Sequence, residues 1–401
     1  MDAVTGRRGP LTGIKIVEFA HLLAGPMAGT LLADLGAEVV HIEDPLHGDA
    51  ARRHGPDKDG TKLWWKVSGR NKRSVTVDLR SEEGRRIAAE LVAWADVVVT
   101  NMRATTLRTW RLDWESLHAL HPQLIMLHVS GNGIVTSRAN EPGFGKVGEA
   151  RSGVVALTGF ADGPPVHAGF SHADTLTGLM GAYSICAALV GRMSPGFRGE
   201  FIDLSLDETL FRLIDWQVIV ADQLGYSPGR SGNQLAIAKG VLVNTYATAD
   251  GRWLTVTSGT LRSVINVANL LGEDPDDYAT PAQQAERVPK LDALLSQWIG
   301  ERTLVDALKA MQECEVVAAA VLTGTDILDD PMYLERGNVV EVDDTDLGPV
   351  RMQGVIPRLT EQPGTVWRPG AALGADTDLV LGAYLGHSAD EIGEWRAAGV
   401  I

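Results

Sequence analysis

The chain has 401 residues, too many for one small domain; at about 100–200 residues per domain it should divide into two or three. It is 45% hydrophobic and 22% charged, as soluble globular proteins are, and 36 Lys and Arg against 51 Asp and Glu leave a net charge of −15. A surface so acidic excludes general nucleic-acid binding and docking on anionic membranes, but not a small anion met by a local group of cations.

The first third alternates strands and helices. "IKIVEF" (Ile14 to Phe19) is a short strand whose Lys15 and Glu18 are foreign to a secretory signal. "HLLAGP" reads as a loop, "MAGTLLADLG" as a helix ending at Gly36, and "AEVVHIE" as the next strand. "SVTVDL" is a third strand, leading into the helix "SEEGRRIAAELVAWA", where Ser81 caps and Glu82 and Glu83 suit the positive end of the dipole. "DVVVTN", the helix "LDWESLHALHPQ" and the strand "LIMLHVSG" continue the pattern. Strands and helices in this rhythm give βαβ units, a mainly parallel sheet and Rossmann-like layering. "AGPMAG" after the first strand is not a dinucleotide fingerprint, and Pro26 removes a donor from the turn, which argues against a nicotinamide-dependent oxidoreductase. Ligands of open α/β sheets still gather beyond the carboxyl ends of the strands, here Ala20–Pro26, Arg80 and Asn101–Arg103.

Thr175 to Gly191 carries no charge and reads as a buried helix, slightly short for a membrane span. After "EFIDLSL", the stretch "DETLFRLIDWQVIVADQLG" reads as one long helix and "YSPGRSGN" as a linker. "LVNTYATADGRWLTVTS" is a hairpin turning at Asp250–Gly251, and three helices follow between about Leu261 and Cys314. These form a second, smaller α+β unit. A Pro- and Gly-containing segment, Gly348 to Gly374, leads to two short terminal helices.

Arg70, Lys72, Arg73, Arg80, Arg103, Arg108 and Arg111 cluster near the expected ligand edge and together suit a phosphate-bearing anion. No histidine has metal-ligand spacing, and His167 and His172 read as loop or packing residues. Cys186 and Cys314 stand unpaired, which places the chain in reducing cytoplasm. Asp174, in "GFSHADTLTGLMGAYS", reads as a helix N-cap. A cap does not exclude a nucleophile, since a helix N-terminus keeps a carboxylate ionised and offers N–H groups to an oxyanion.

Several stretches in fixed order resemble the class III coenzyme A transferases, the group of formyl-CoA and carnitine-CoA transferases. They are "LTGIKIVEFAHLLAGPMAGTLLADLGAEVVHIEDPLHGDAAR", "NKRSVTVDL", "ADVVVTNMR", "PQLIMLHVSGNG", "RSGVVALTG", "GEFIDLSLDE" and "LGHSADEIGEWRAAGVI". The resemblance implies an α/β fold with a Rossmann-like large domain and a smaller α+β domain, in a ring-shaped subunit that interlocks with a second copy as a homodimer. The expected division is 1–205 for the large domain, 206–230 for a helical linker, 231–330 for the small domain and 331–401 for a segment returning to the large one. It further implies acyl-CoA and a carboxylic acid as substrates, coenzyme A without a metal, and Asp174 as the catalytic carboxylate. That carboxylate would attack a thioester to give a mixed anhydride, then an aspartyl-CoA thioester. Leu22, Ala24, Arg80, Asn101, Met102, Arg103 and Arg108 match CoA-contacting positions, and Trp64 matches an aromatic near the acyl pocket.

Three departures set this chain apart from the formyl-transferring members. Leu23 stands in place of a glutamine, Gly145 in place of a glutamate, and "GNQLAIAKG" in place of a Gly-rich loop. They point to an acid larger or more apolar than oxalate or formate. Racemases of the same superfamily place a histidine in a G-H-D motif; the matching Gly143–Phe144–Gly145 has no titratable side chain, which favours transfer over racemisation. A catalytically silent subunit of a heteromeric transferase is the other alternative, and retention of Asp174 argues against it.

Overall fold

A computed structural model describes residues 8–235 and 239–401. The chain divides into two compact units. The larger holds residues up to Gly153, Ala168–Asp215 and Asp330–Ile401; the smaller holds Val154–His167 and Trp216–Asp329. The division thus differs from the expected one in assigning Val154–His167 to the smaller unit. It also cuts the expected linker at Asp215, where φ of +34° separates the helices Glu208–Leu213 and Gln217–Leu224 and breaks the long helix read from the sequence.

The larger unit is built on six parallel strands: β1 (Lys15–Phe19), β2 (Glu38–Glu43), β3 (Lys72–Thr76), β4 (Val97–Thr100), β5 (Ile125–Ser130) and β6 (Glu200–Ser205). Their spatial order is β3-β2-β1-β4-β5-β6, that of a doubly wound dinucleotide-binding sheet. The order reverses between β1 and β4, so the crevice beyond their carboxyl ends is the expected ligand position. Both faces are covered. Val17, Phe19, Val40, Val75 and Val98 pack under helix α2 (Glu82–Trp94), together with the C-terminal Ile392, Trp395 and Ile401. Ile16, Val39, Val97 and Ile125 pack under α1 (Ala24–Asp34), against which the long apolar helix His172–Gly191 lies. Strands buried on both faces explain the unbroken Val and Ile runs.

Local differences from the sequence reading have local causes. Helix α1 begins at Ala24 instead of Met27, because Pro26 in a first turn lacks only an N–H that has no helical partner anyway. The helix α3 (Ala104–Trp110) and the hairpin β10–β11 (Val339–Asp344, Gly348–Gln353) were not anticipated. The smaller unit contains the antiparallel sheet of β7 (Leu242–Ala247), β8 (Trp253–Ser258) and β9 (Ala318–Ala320). Three helices, Leu261–Leu271, Pro281–Gly300 and Leu304–Glu313, belong to the same unit and contribute to its own core. Of "GNQLAIAKG", residues 236–238 lie outside the described residues.

Candidate active site

Glycines bring the catalytic candidates together. A Cβ on Gly131, just beyond β5, would stand 2.6 Å from the Cα of Gly143, so two backbones cross where no side chain fits. That crossing sets Phe144 and the helix α4 (Gly145–Arg151) at the carboxyl edge of the sheet. A Cβ on Gly145 would stand 1.9 Å from Oδ2 of Asp174. The space beside the carboxylate exists because position 145 has no side chain.

Asp174 lies in the first turn of α5 (His172–Gly191). It is not the N-cap expected from the sequence; Ser171 occupies that position, without a side-chain bond, and Asp174 is the third helical residue. The helix starts earlier because the buried Glu149 of α4 reaches across to accept the His172 N–H at 3.2 Å, doing the work of a cap. Lys146 Nζ donates to both oxygens of Glu149, at 2.9 and 3.0 Å, and to the carbonyls of Ala168 and Phe170, at 2.8 and 2.9 Å. The segment entering α5 is therefore strapped to α4. His172 packs its ring on Phe170 and leaves a buried Nδ1 without a partner.

The Asp174 carboxyl is pushed above the ordinary aspartate range, first by burial and then by the charge of Glu149, against Lys146 and its own backbone N–H. A helix N-terminus by itself would hold the carboxyl down; here burial outweighs it. A more basic carboxylate is the better nucleophile once ionised.

One turn along α5, a Cβ on Gly178 would meet the Met27 side chain at 2.5 Å and the Ala24 carbonyl at 2.9 Å. Asp174 thus sits a helical turn from the start of α1, where the loop after β1 ends. In that loop Leu22 is left-handed, with φ of +67°, a conformation costing a branched residue about 1–2 kcal/mol. Its N–H is bound by both oxygens of Asp49, at 3.0 and 3.1 Å. Ala24 opens α1, which has no side-chain cap and no acidic residue in its first turn; Pro26 has no N–H and Met27 donates to the Leu23 carbonyl at 2.7 Å, so only the Ala24 and Gly25 N–H groups lack a helical partner.

A separate cleft of about 150 Å³ opens beyond β1 to β4, lined by His21, Asp44, Leu79, Arg80, Met102 and Trp110 among others. His21 and Trp110 escaped the sequence reading; only their positions after β1 and at the end of α3 connect them. Arg80 is ion-paired to Asp78 at 2.6 Å and Asp44 at 2.8 Å, and remains more than half exposed. Asn101 directs its whole amide at the His21 backbone, accepting at 2.9 Å and donating at 2.8 Å, so it fixes the loop after β1. Met102 anchors its carbonyl on His128 at 2.8 Å. Arg103, Arg108 and Arg111 are exposed.

The other expected cations are elsewhere. Arg70, Lys72 and Arg73 lie at and before the amino end of β3, are buried, and pair with Asp34, Glu18 and Asp376. Their place in the sequence was close to the ligand edge, but the strand carries them to its opposite end. Trp64, on the helix Leu63–Ser68, is half-buried against Gly55 and is not among the residues lining the cleft. Among the described residues no group of three His, Cys, Asp or Glu side chains is placed to hold a metal ion.

Residues 11–377 match the model of CoA-transferase family III. The chain belongs to this family. It is 37% identical over 399 residues to succinyl-CoA–D-citramalate CoA-transferase of Chloroflexus aurantiacus, covering 98% of each chain. To the beta subunit of succinyl-CoA–L-malate CoA-transferase of the same organism it is 34% identical over 402 residues, again covering 98% of each. A CaiB/BaiF family protein from Brucella suis shares the fold with a TM-score of 0.83 at 30% identity, over 94% of this chain and 100% of the other. The chain is a class III CoA-transferase, and its substrates are CoA thioesters.

Proposed function

We propose that this CoA-transferase moves coenzyme A from succinyl-CoA to a small dicarboxylic acid by covalent catalysis on Asp174. The observation that carries the reading is the Asp174 carboxylate, made basic by burial, standing in a space that Gly145 leaves free. An ionised Asp174 oxygen attacks the thioester carbonyl, forming a mixed anhydride and releasing CoA as thiolate. The thiolate attacks the aspartyl carbonyl of that anhydride, freeing the donor acid and leaving an aspartyl-CoA thioester. The acceptor carboxylate attacks the aspartyl-CoA thioester, forming a second mixed anhydride and releasing CoA thiolate. The thiolate then attacks the acceptor's carbonyl, so that the acceptor departs as its own CoA ester and Asp174 is returned ionised. Each step exchanges one acyl bond for another, so no proton donor is needed.

The residues present suit coenzyme A. The cleft near Arg80 is smaller than the roughly 300–1,000 Å³ of a typical small-molecule site, so it takes only one end of the molecule. Met102 and Trp110 offer apolar surface to a base, while Arg103, Arg108 and Arg80 supply charge for phosphates. The N–H groups opening α1 and the loop at Leu22 would guide the remaining arm toward Asp174. The dicarboxylic substrates are inferred from the two Chloroflexus relatives, and are in keeping with an acid larger than oxalate or formate.

Racemisation needs a second acid or base facing the α-carbon. Phe144 stands exposed where that group would be, and the neighbouring Lys146 is held by four acceptors. A homodimer is supported by α5, an apolar helix of which one third is buried and which exposes Leu179, Tyr183 and Val190. A second copy interlocked with the first would cover that face. The two free cysteines fit a cytoplasmic enzyme.

Asp174→Asn tests the reading. Its amide cannot attack a thioester, so transfer between succinyl-CoA and a panel of acids, followed by mass spectrometry, should fall to background in a folded protein. Succinyl-CoA with hydroxylamine should mark Asp174 as a hydroxamate in the unsubstituted enzyme. Full activity of the variant with no mark on that peptide would reduce Asp174 to a structural residue.

A further inference from the structure

Beneath the loop Ala20–Pro26 runs a buried chain of side chains whose charges alternate. Asp49, 1% exposed, receives the Leu22 N–H on both oxygens and is itself held by its N–H on Glu43 at 2.9 Å. His41 on β2 places Nε2 3.3 Å from Asp49, an ion-pair contact, and Nδ1 3.2 Å from Glu18 on β1. Glu18 pairs at 3.0 Å with Lys72 on β3. Lys72 then donates at 2.6 Å to the carbonyl of Pro26, in the first turn of α1. Parallel pairing puts Glu18 beside His41, so the sheet register itself assembles the chain. Its two ends hold the two ends of the loop: a carboxylate on the N–H of Leu22 and an ammonium on the carbonyl of Pro26.

We propose that Asp49, His41, Glu18 and Lys72 form a positioning relay that fixes the loop after β1 in its CoA-accepting shape, and so governs affinity for acyl-CoA without taking part in bond making. This rests on the reading that the loop binds coenzyme A. Leu22 is the sensitive point, because a leucine stays left-handed only while something holds its N–H. With the carboxylate neutralised, the loop relaxes toward ordinary backbone angles and its N–H groups turn away from the ligand.

The test combines hydrogen exchange, binding and kinetics on the full chain. In Asp49→Asn, the peptide spanning residues 20–27 should exchange faster, and the affinity for free CoA by titration calorimetry should fall about tenfold or more. The KM for succinyl-CoA should rise in parallel, with kcat within twofold of the unsubstituted enzyme. Adding Leu22→Gly should restore most of the affinity, since glycine adopts a positive φ without strain. Should Asp49→Asn fail to fold, His41→Gln breaks the relay at its centre and carries the same readouts. Unchanged exchange in a folded variant would overturn the relay, as would an affinity loss that Leu22→Gly leaves unrepaired. Faster exchange with unchanged CoA affinity would overturn the assignment of CoA to this loop, and the proposal with it.

Discussion

Replacing Gly145 with alanine adds one methyl group at the most crowded point of the site. That methyl would stand 1.9 Å from Asp174 Oδ2, 2.8 Å from its Cγ and 3.3 Å from Oδ1. To reach even 3.0 Å the nearer oxygen must retreat by about 1.1 Å, comparable to the ~1 Å misplacement that costs about 100-fold in rate. The colliding atom is the far end of a side chain, so the carboxylate turns aside and the backbone need not move. Position 145 opens α4 without a positive φ, and alanine is favoured over glycine in a helix by about 0.8–1.0 kcal/mol. Gly145→Ala should therefore melt at or slightly above the temperature of the unsubstituted enzyme while kcat falls about 100-fold, or ~2.7 kcal/mol in activation free energy. The assay is transfer from succinyl-CoA to an acceptor acid with thermal melts in parallel. A folded Gly145→Ala enzyme with kcat within twofold would refute the placement of the reacting oxygen beside position 145.

Two further outcomes concern pH. On the proposed mechanism an ionised Asp174 makes the attack, and its carboxyl is raised by burial and by Glu149, so the acid limb of kcat against pH should lie above the ordinary aspartate value of about 3.9. In Glu149→Gln, which keeps an acceptor for the His172 N–H, the limb should move to lower pH; an unmoved limb would show that another group controls it. His41 faces Glu18, Asp49 and Glu43, which outweigh its burial and raise it from 6.5 to about 9. A raised folded-state value means that the stabilisation is complete below about 6.5 and lost as pH rises through about 9, on the order of 3 kcal/mol in all. Denaturant midpoints should fall across that window, and His41→Gln should flatten the fall; equal slopes in both proteins would exclude His41 as the source.

Much of the larger unit was legible because parallel strands buried on both faces have an unmistakable pattern. Val97, Val98 and Val99 admit no solvent face, and Ser81 with Glu82 and Glu83 marks a helix start by local chemistry alone. Where local chemistry competed with distant contacts the reading failed. Asp174 satisfies every local requirement of an N-cap, yet Glu149, twenty-five positions earlier in the sequence, supplies the first acceptor and moves the helix start back to His172. Arg70, Lys72 and Arg73 failed for a geometric reason: a strand separates its two ends by its whole length, and cations at the amino end of β3 cannot share an edge with Arg80.

The candidate site itself divides along the same line. Asp174 stands out in the sequence as a single carboxylate before an uncharged run, and its proposed role comes from its setting within a resembled motif. Gly145 was also singled out, but as a residue that had lost a side chain. The structure gives that absence a positive meaning, since the carboxylate occupies the volume a side chain would fill. Asn101 shows the reverse. Its position at the end of β4 suggested ligand contact, whereas both ends of its amide are bound to His21. Neither Asp49 nor His41 could be read as functional, because nothing in one dimension says that β1, β2 and β3 lie side by side with Glu18, His41 and Lys72 within reach. An α/β sheet carries its reactive groups on loops, and what holds those loops in a strained shape must lie in the strands beneath them. In this chain the strain is at Leu22, and the buried charges that hold it span three strands, with Lys72 reaching toward the loop from the amino end of β3.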